Sequence, residues 1–307
     1  MERAVPLDDD GRRRVVVALR PVHRGAVNVG SSLVGTAVDI SAIAPLGWVL
    51  LVAGCLVIGF SKTAFAGVGL LATVAFAFAL PTRASTGAVL PMLILADVVA
   101  VALYRRHAHW VLLVRLLPWM LVGLALGAVF LDVVDDVALR RFLGVLLLLL
   151  AALQGRSMLN ASRAARVAQR ERPDEVPEPS PGPESWSPLR RRTLAGAAGG
   201  SAGFATMVAN AAGPISTMYL LVMRVDKMGF VGTAAWLFFI VNLAKVPFSV
   251  GLGLIDGQSL LLNVMLAPAV LAGAFLGARV LRRVPQRIFA STTLALTAVS
   301  AVGLLLV

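Results

Sequence analysis

The sequence predicts an all-α integral membrane protein: a polytopic helical bundle of two repeated halves, expected to be inverted, each with a broken-helix hairpin followed by three spans. Three observations carry that reading. Of 307 residues, 58% are hydrophobic and 14% charged, which excludes a water-soluble globule with an ordinary polar surface. A set of apolar and small residues then recurs. Gly59, Phe60, Gly69 and Thr73 return as Gly203, Phe204, Gly213 and Thr217 at an offset of 144. Pro118, Leu121, Gly123, Leu126, Gly127, Ala128 and Leu131 return as Pro268, Leu271, Gly273, Leu276, Gly277, Ala278 and Leu281 at an offset of 150. Finally, the charges of corresponding loops are swapped between the halves.

Apolar runs cover residues 46–60, 64–80, 86–104, 111–131, 138–155, 193–208, 211–224, 230–250, 258–281 and 288–307. A helix needs about 20 apolar residues to cross the hydrocarbon core. Six runs meet that length, and the four short ones fall in pairs at the start of each half, where broken helices are expected. The resulting division is an arm, poorly ordered, over 1–45, a first transmembrane repeat over 46–155, a linker over 156–192 and a second repeat over 193–307. The linker holds eight Arg, five acidic residues and six Pro and cannot bury enough apolar area to fold, so it is expected to be disordered and cytoplasmic. Arg3, Arg12, Arg13, Arg14, Arg20 and Arg24 mark the arm, which lacks the apolar core and cleavage site of a signal peptide.

Loop charge sets the expected orientation. In the first half the loop after the third run is basic, with Arg105, Arg106, His107 and His109, and the next is acidic, with Asp132, Asp135 and Asp136. In the second half the corresponding loops are nearly neutral (251–258) and basic (Arg282, Arg283, Arg287). By the positive-inside rule the halves face opposite ways. The basic arm agrees with this only if the first short pair makes a single, broken crossing. The same rule accounts for the net charge of +12 without nucleic acid as a partner.

The polar residues at membrane depth are few. Gly59-Phe60-Ser61-Lys62-Thr63, continuing to Gly67 and Gly69, joins the first short pair; Gly203-Phe204-Ala205-Thr206-Met207, then Asn210, Gly213 and Pro214, joins the second. An interrupted helix exposes N–H groups and a positive dipole end, which suit an anion, although small residues also serve close helix packing. Lys and Arg together number 28, yet only three are lysines, and two of these, Lys62 and Lys245, lie in or beside apolar runs. A lysine at a helix centre costs about 2.5–3.5 kcal/mol on insertion scales, so each either faces the bundle interior or snorkels to the interface. Asp97 is the one acid deep inside a run, and the repeat sets Asn242 at its equivalent position. It is a proton-coupling candidate, or a structural hydrogen-bonding group, as the amide partner suggests. The Pro-x4-Gly-x3-Gly segments at 118–127 and 268–277 read as close helix crossings. Lone Cys55 permits no disulfide within the chain, and His107 and His109 beside Trp110 do not by themselves make a metal site. No cofactor is implied.

Taken together, the glycine-bearing first hairpin, the Arg-Arg-His loop, the Pro-x4-Gly-x3-Gly segment and the Gly-Phe-Ala-Thr-Met-x2-Asn-x2-Gly-Pro run resemble the sulfite exporter TauE/SafE family over about residues 46–307, the linker excepted. The first hairpin departs from the family's glycine triplet, with Ala64, Phe65 and Ala66 before Gly67. The resemblance implies a multi-pass transporter in a cell membrane, the bacterial inner membrane being expected, that exports sulfite or sulfonate-like anions. On both grounds the expected substrate is a small anion, held by Ser61, Lys62, Thr63, Gly67, Gly69, Thr206, Asn210, Gly213, Asn242 and Lys245. Uptake of another small organic anion stays open, as does homo-oligomerisation. A membrane-embedded enzyme would need a nucleophile–base pair or clustered metal ligands in the spans, and none is visible.

Overall fold

The structure is a computed structural model that describes residues 40–65, 68–80, 82–135, 183–285 and eight isolated positions, 138, 142, 145, 156, 288, 289, 292 and 293. It is helical throughout, with no strand among the described residues. In chain order the helices are α1 (Pro45–Thr63), α2 (Gly69–Ala79), α3 (Thr82–Tyr104), α4 (Trp110–Val133), α5 (Pro188–Ala209), α6 (Ala212–Val222), α7 (Lys227–Gly251) and α8 (Gly257–Arg283). The expected final span of each half, 138–155 and 288–307, lies almost wholly outside the described residues.

Each half opens with a long helix followed by one of 11 residues: α1 then α2, α5 then α6. The short partner is as expected, but the long one is longer than the apolar run. α1 carries on through Ser61, Lys62 and Thr63, and its 19 residues are long and apolar enough to cross a membrane. α5 begins at Pro188, not at residue 193. The Ser187 side chain accepts the Arg190 N–H and Pro188 occupies the first turn, where its missing N–H costs nothing, so Arg190, Arg191 and Arg192, assigned to the linker, form the start of the helix. With α1, the helices α3, α4, α7 and α8 make five among the described residues that are long and apolar enough to span.

The largest helix contacts join the halves to each other: α1 packs on α8 and α5 on α4, while α3 packs on α7. Backbones touch at these crossings because glycines remove the Cβ. A Cβ on Gly59 would strike the Val270 carbonyl, and one on Gly273 the Leu56 carbonyl. In the other pair, a Cβ on Gly203 would strike the Met120 carbonyl and one on Gly123 the Gly200 carbonyl. Each contact of the first crossing maps onto one of the second when the two halves are exchanged. Gly59 and Gly203 therefore sit inside continuous helices and serve packing, which corrects their assignment to the helix breaks. Thr63 adds a polar tie, its Oγ1 donating to the Ala274 carbonyl at 2.8 Å and to the Gly59 carbonyl at 3.1 Å.

The ends of the bundle are fixed by caps. Asp226 caps α7 by accepting the Met228 and Gly229 N–H groups, and its carboxylate lies 3.4 Å from His109 Nε2. Partial burial pushes the Asp226 carboxyl up, but the hydrogen bonds from Gly229, His109 and Met228 outweigh it and hold the group below the usual carboxylate range. Lys227 Nζ donates to the Leu281 and Val284 carbonyls at the C-terminal end of α8, where a cation meets the negative end of the helix dipole.

The crossings generate a paired test. Gly200 and Gly203 share α5, but a Cβ at Gly200 would meet nothing within 4 Å. Gly203→Ala is expected to lower stability by about 1–3 kcal/mol through overpacking, and Gly200→Ala to leave it unchanged, by thermal unfolding in detergent. Equal effects would show that the crossing is not a backbone contact.

Candidate functional site

The two helix breaks face each other. In the first half α1 ends in Ser61 and Lys62, the chain turns, and α2 restarts at Gly69. Tyr104 O–H donates to the Thr63 carbonyl at 3.0 Å, which satisfies one of the acceptors that a helix C-terminus leaves open. In the second half α5 ends at Ala209, Asn210 takes a left-handed conformation (φ 52°), and α6 restarts at Ala212. Asparagine tolerates that conformation better than most residues, which makes it a suitable C-cap. Neither short helix has a side-chain cap at its N-terminus, and the first residues of each, Gly69 and Ala212 with Gly213, line the space between the breaks.

That space is a cavity of ≈ 450 Å³, counting its open mouth, lined by Ser61, Lys62, Gly69 and Thr73 from the first hairpin and by Thr206, Asn210, Ala212 and Gly213 from the second. Leu93 of α3 and Phe238 and Asn242 of α7 close its remaining side. Behind it runs a buried polar network. Lys62 Nζ lies 2.8 Å from Asp97 Oδ1, although that oxygen lacks the alignment of a directed hydrogen bond, so the contact is an ion pair held by charge. Asn242 Nδ2 donates to the other carboxylate oxygen at 2.6 Å. Lys62 Nζ also stands 4.2 Å from the centroid of the Phe238 ring, a cation–π contact. Lys245 Nζ donates to the Thr206 carbonyl at 2.8 Å and, in a very short bond, to Asn210 Oδ1. Asp97 is fully buried and Asn242 and Lys245 nearly so.

Of the residues singled out in the sequence, Ser61, Lys62, Gly69, Thr206, Asn210, Gly213 and Asn242 line this one cavity. Asp97 and Lys245 form its backing. Thr63 instead points into the α1–α8 crossing, and Gly67 lies outside the described residues. Lys62 belongs to the last turn of α1 rather than to the break, and it pairs with Asp97; the lysine that bonds Thr206 and Asn210 is Lys245. Sequence reasoning passed over Thr73, Phe238 and Tyr104. Thr73 had a signal, since it recurs as Thr217, whereas Phe238 is indistinguishable from its apolar neighbours. Among the described residues no cluster of His, Cys, Asp and Glu could hold a metal ion.

The arrangement offers the Lys62 amino group and two helix N-termini without side-chain caps to a small, water-accessible space, which is the chemistry of anion recognition. The model of the family described as Sulfite exporter TauE/SafE matches residues 50–304. The chain belongs to that family. No curated protein and no solved structure matches it. TauE/SafE membership and the five helices among the described residues that are long and apolar enough to span make it a multi-pass membrane protein, a transporter of sulfite-type anions.

Proposed function

We propose that the chain is a secondary transporter that exports small anions such as sulfite or organosulfonates across the cell membrane, with its substrate site at the two helix breaks. The observation that carries this reading is the single cavity to which both breaks contribute, Lys62 with Gly69 from one half and Thr206 with Asn210 and Gly213 from the other. A transporter needs a site that both sides can reach in turn, and the junction of two repeats is where rocking of one against the other opens such a site alternately. Export, rather than uptake, follows the family's description.

The halves, on this reading, are related by a pseudo-two-fold axis in the membrane plane. The exchange of glycine contacts between the α1–α8 and α4–α5 crossings supports a two-fold relation. So does the direct bond between Asp97 and Asn242, since repeat-equivalent residues that touch one another straddle such an axis. The swapped loop charges support its lying in the membrane plane. Asp97 is the candidate for proton coupling, since its protonation would release Lys62 from its ion pair.

Radiolabelled anion flux into proteoliposomes, across sulfite, sulfonates, sulfate and carboxylates and with or without a pH gradient, tests the function. Lys62→Met is expected to lower the flux of the carried anion about 10- to 100-fold, the range for losing one hydrogen bond to a charged group. Undiminished flux in that variant would move the site elsewhere. Topology has its own test: cysteines introduced at Arg106 and Arg283 are expected to label from the cytoplasmic side alone. Labelling from opposite sides would make the repeats parallel.

A further inference from the structure

The charges behind the cavity do not balance. Lys62 and Lys245 bring two amino groups and Asp97 a single carboxylate to one buried cluster, so with both lysines protonated one positive charge is left over. Among the described residues, no further ionised side chain acts on Asp97 or on Lys245. Lys245 Nζ meets acceptors, the Thr206 carbonyl at the C-terminal end of α5 and the Asn210 amide oxygen, and both of those residues line the cavity. Lys62 is held on its other side by Asp97 and reaches the cavity wall itself. An unbalanced charge out of water is costly until a counter-ion joins it. One negative charge in the cavity neutralises the cluster, and a second would recreate the imbalance with opposite sign.

We propose that the site is matched to a monoanion and that the Asp97 carboxylate is the residue that discriminates against dianions. The inference rests on the anion-transport reading above and sharpens it to a charge class. While ionised, Asp97 acts as a counter-charge: it takes up one of the two ammonium charges, so a dianion of the same size leaves the cluster with one negative charge in excess. Asn242, bonded to the other carboxylate oxygen, fixes the carboxylate where it repels a second charge.

Methanesulfonate and sulfate are the probes, since both are tetrahedral oxyanions of similar size that carry one and two charges at neutral pH. Flux of each into proteoliposomes at pH 7.5, and the thermal stabilisation each gives in detergent, are measured for the wild-type chain, Asp97→Asn and Asp97→Glu. Wild type is expected to favour methanesulfonate. Asp97→Asn is expected to raise the sulfate-to-methanesulfonate ratio on the order of tenfold or more, the effect of removing one charge at a few ångströms in an effective dielectric of about 20. Asp97→Glu, which keeps the charge, should keep the wild-type preference; a residue that only held helices together would not distinguish the two variants in this way. A wild-type preference for sulfate, or no preference, overturns the proposal and leaves anion transport standing, and this comparison decides the matter even where Asp97→Asn does not fold. An unchanged ratio in a folded Asp97→Asn protein overturns it equally. Absence of flux for every anion in the wider panel would sink the transport reading and this inference with it.

Discussion

The Lys62–Asp97 ion pair is the interaction on which the arrangement of this molecule turns. A lone ammonium or carboxylate at membrane depth is tolerated only when something answers its charge. Here α1 and α3 each bring one charge, and Asn242 of α7 bonds the carboxylate from the other half, so three helices are tied at one buried point. The tie also fixes where Lys62 stands, which is at the wall of a cavity rather than among lipid headgroups. Snorkelling would have placed the ammonium at an interface; a partner 2.8 Å away in the bundle interior makes the inward position affordable.

Around that point, the fold is a device for holding two irregular segments at depth. Unpaired backbone groups in hydrocarbon are expensive, and both breaks answer the cost: Tyr104 bonds the Thr63 carbonyl, and the Thr206 carbonyl accepts both the Asn210 N–H and Lys245. Glycine-mediated crossings then lock α1 onto α8 and α5 onto α4, so each break is braced by a helix of the opposite half. Because the bracing is exchanged between halves, both breaks are held against one cavity. What is left between them, two uncapped helix N-termini and a positively charged wall, follows from that bracing.

Much of this was legible in the chain. Polar residues stand out against an apolar background, and the internal repeat showed that Gly69 matches Gly213 and that Asp97 matches Asn242, so seven of the ten residues proposed as binding appear on one cavity wall. The failures have physical causes. Glycine loosens a helix and also permits close packing, and for Gly59 and Gly203 only the neighbouring helix decides which. α1 is longer than its apolar run because Ser61, Lys62 and Thr63 end the run but not the helix; the polar atoms of Lys62 and Thr63 are answered by tertiary contacts that periodicity does not reveal. Which lysine meets which break was likewise unreadable, since Lys245 reaches Thr206 across 39 residues. Phe238 carries no mark in the sequence of its place over an ammonium.

The central claim is that both breaks serve one anion site, and ligand protection of introduced cysteines measures it directly. With Cys55 replaced by Ala, single cysteines at Thr73 of α2 and Gly213 of α6 would be labelled with a small maleimide at increasing methanesulfonate concentration. The account predicts that both rates fall with the same half-effect concentration, because one bound anion covers both positions. Protection at one position only, or at different concentrations for the two, would contradict it.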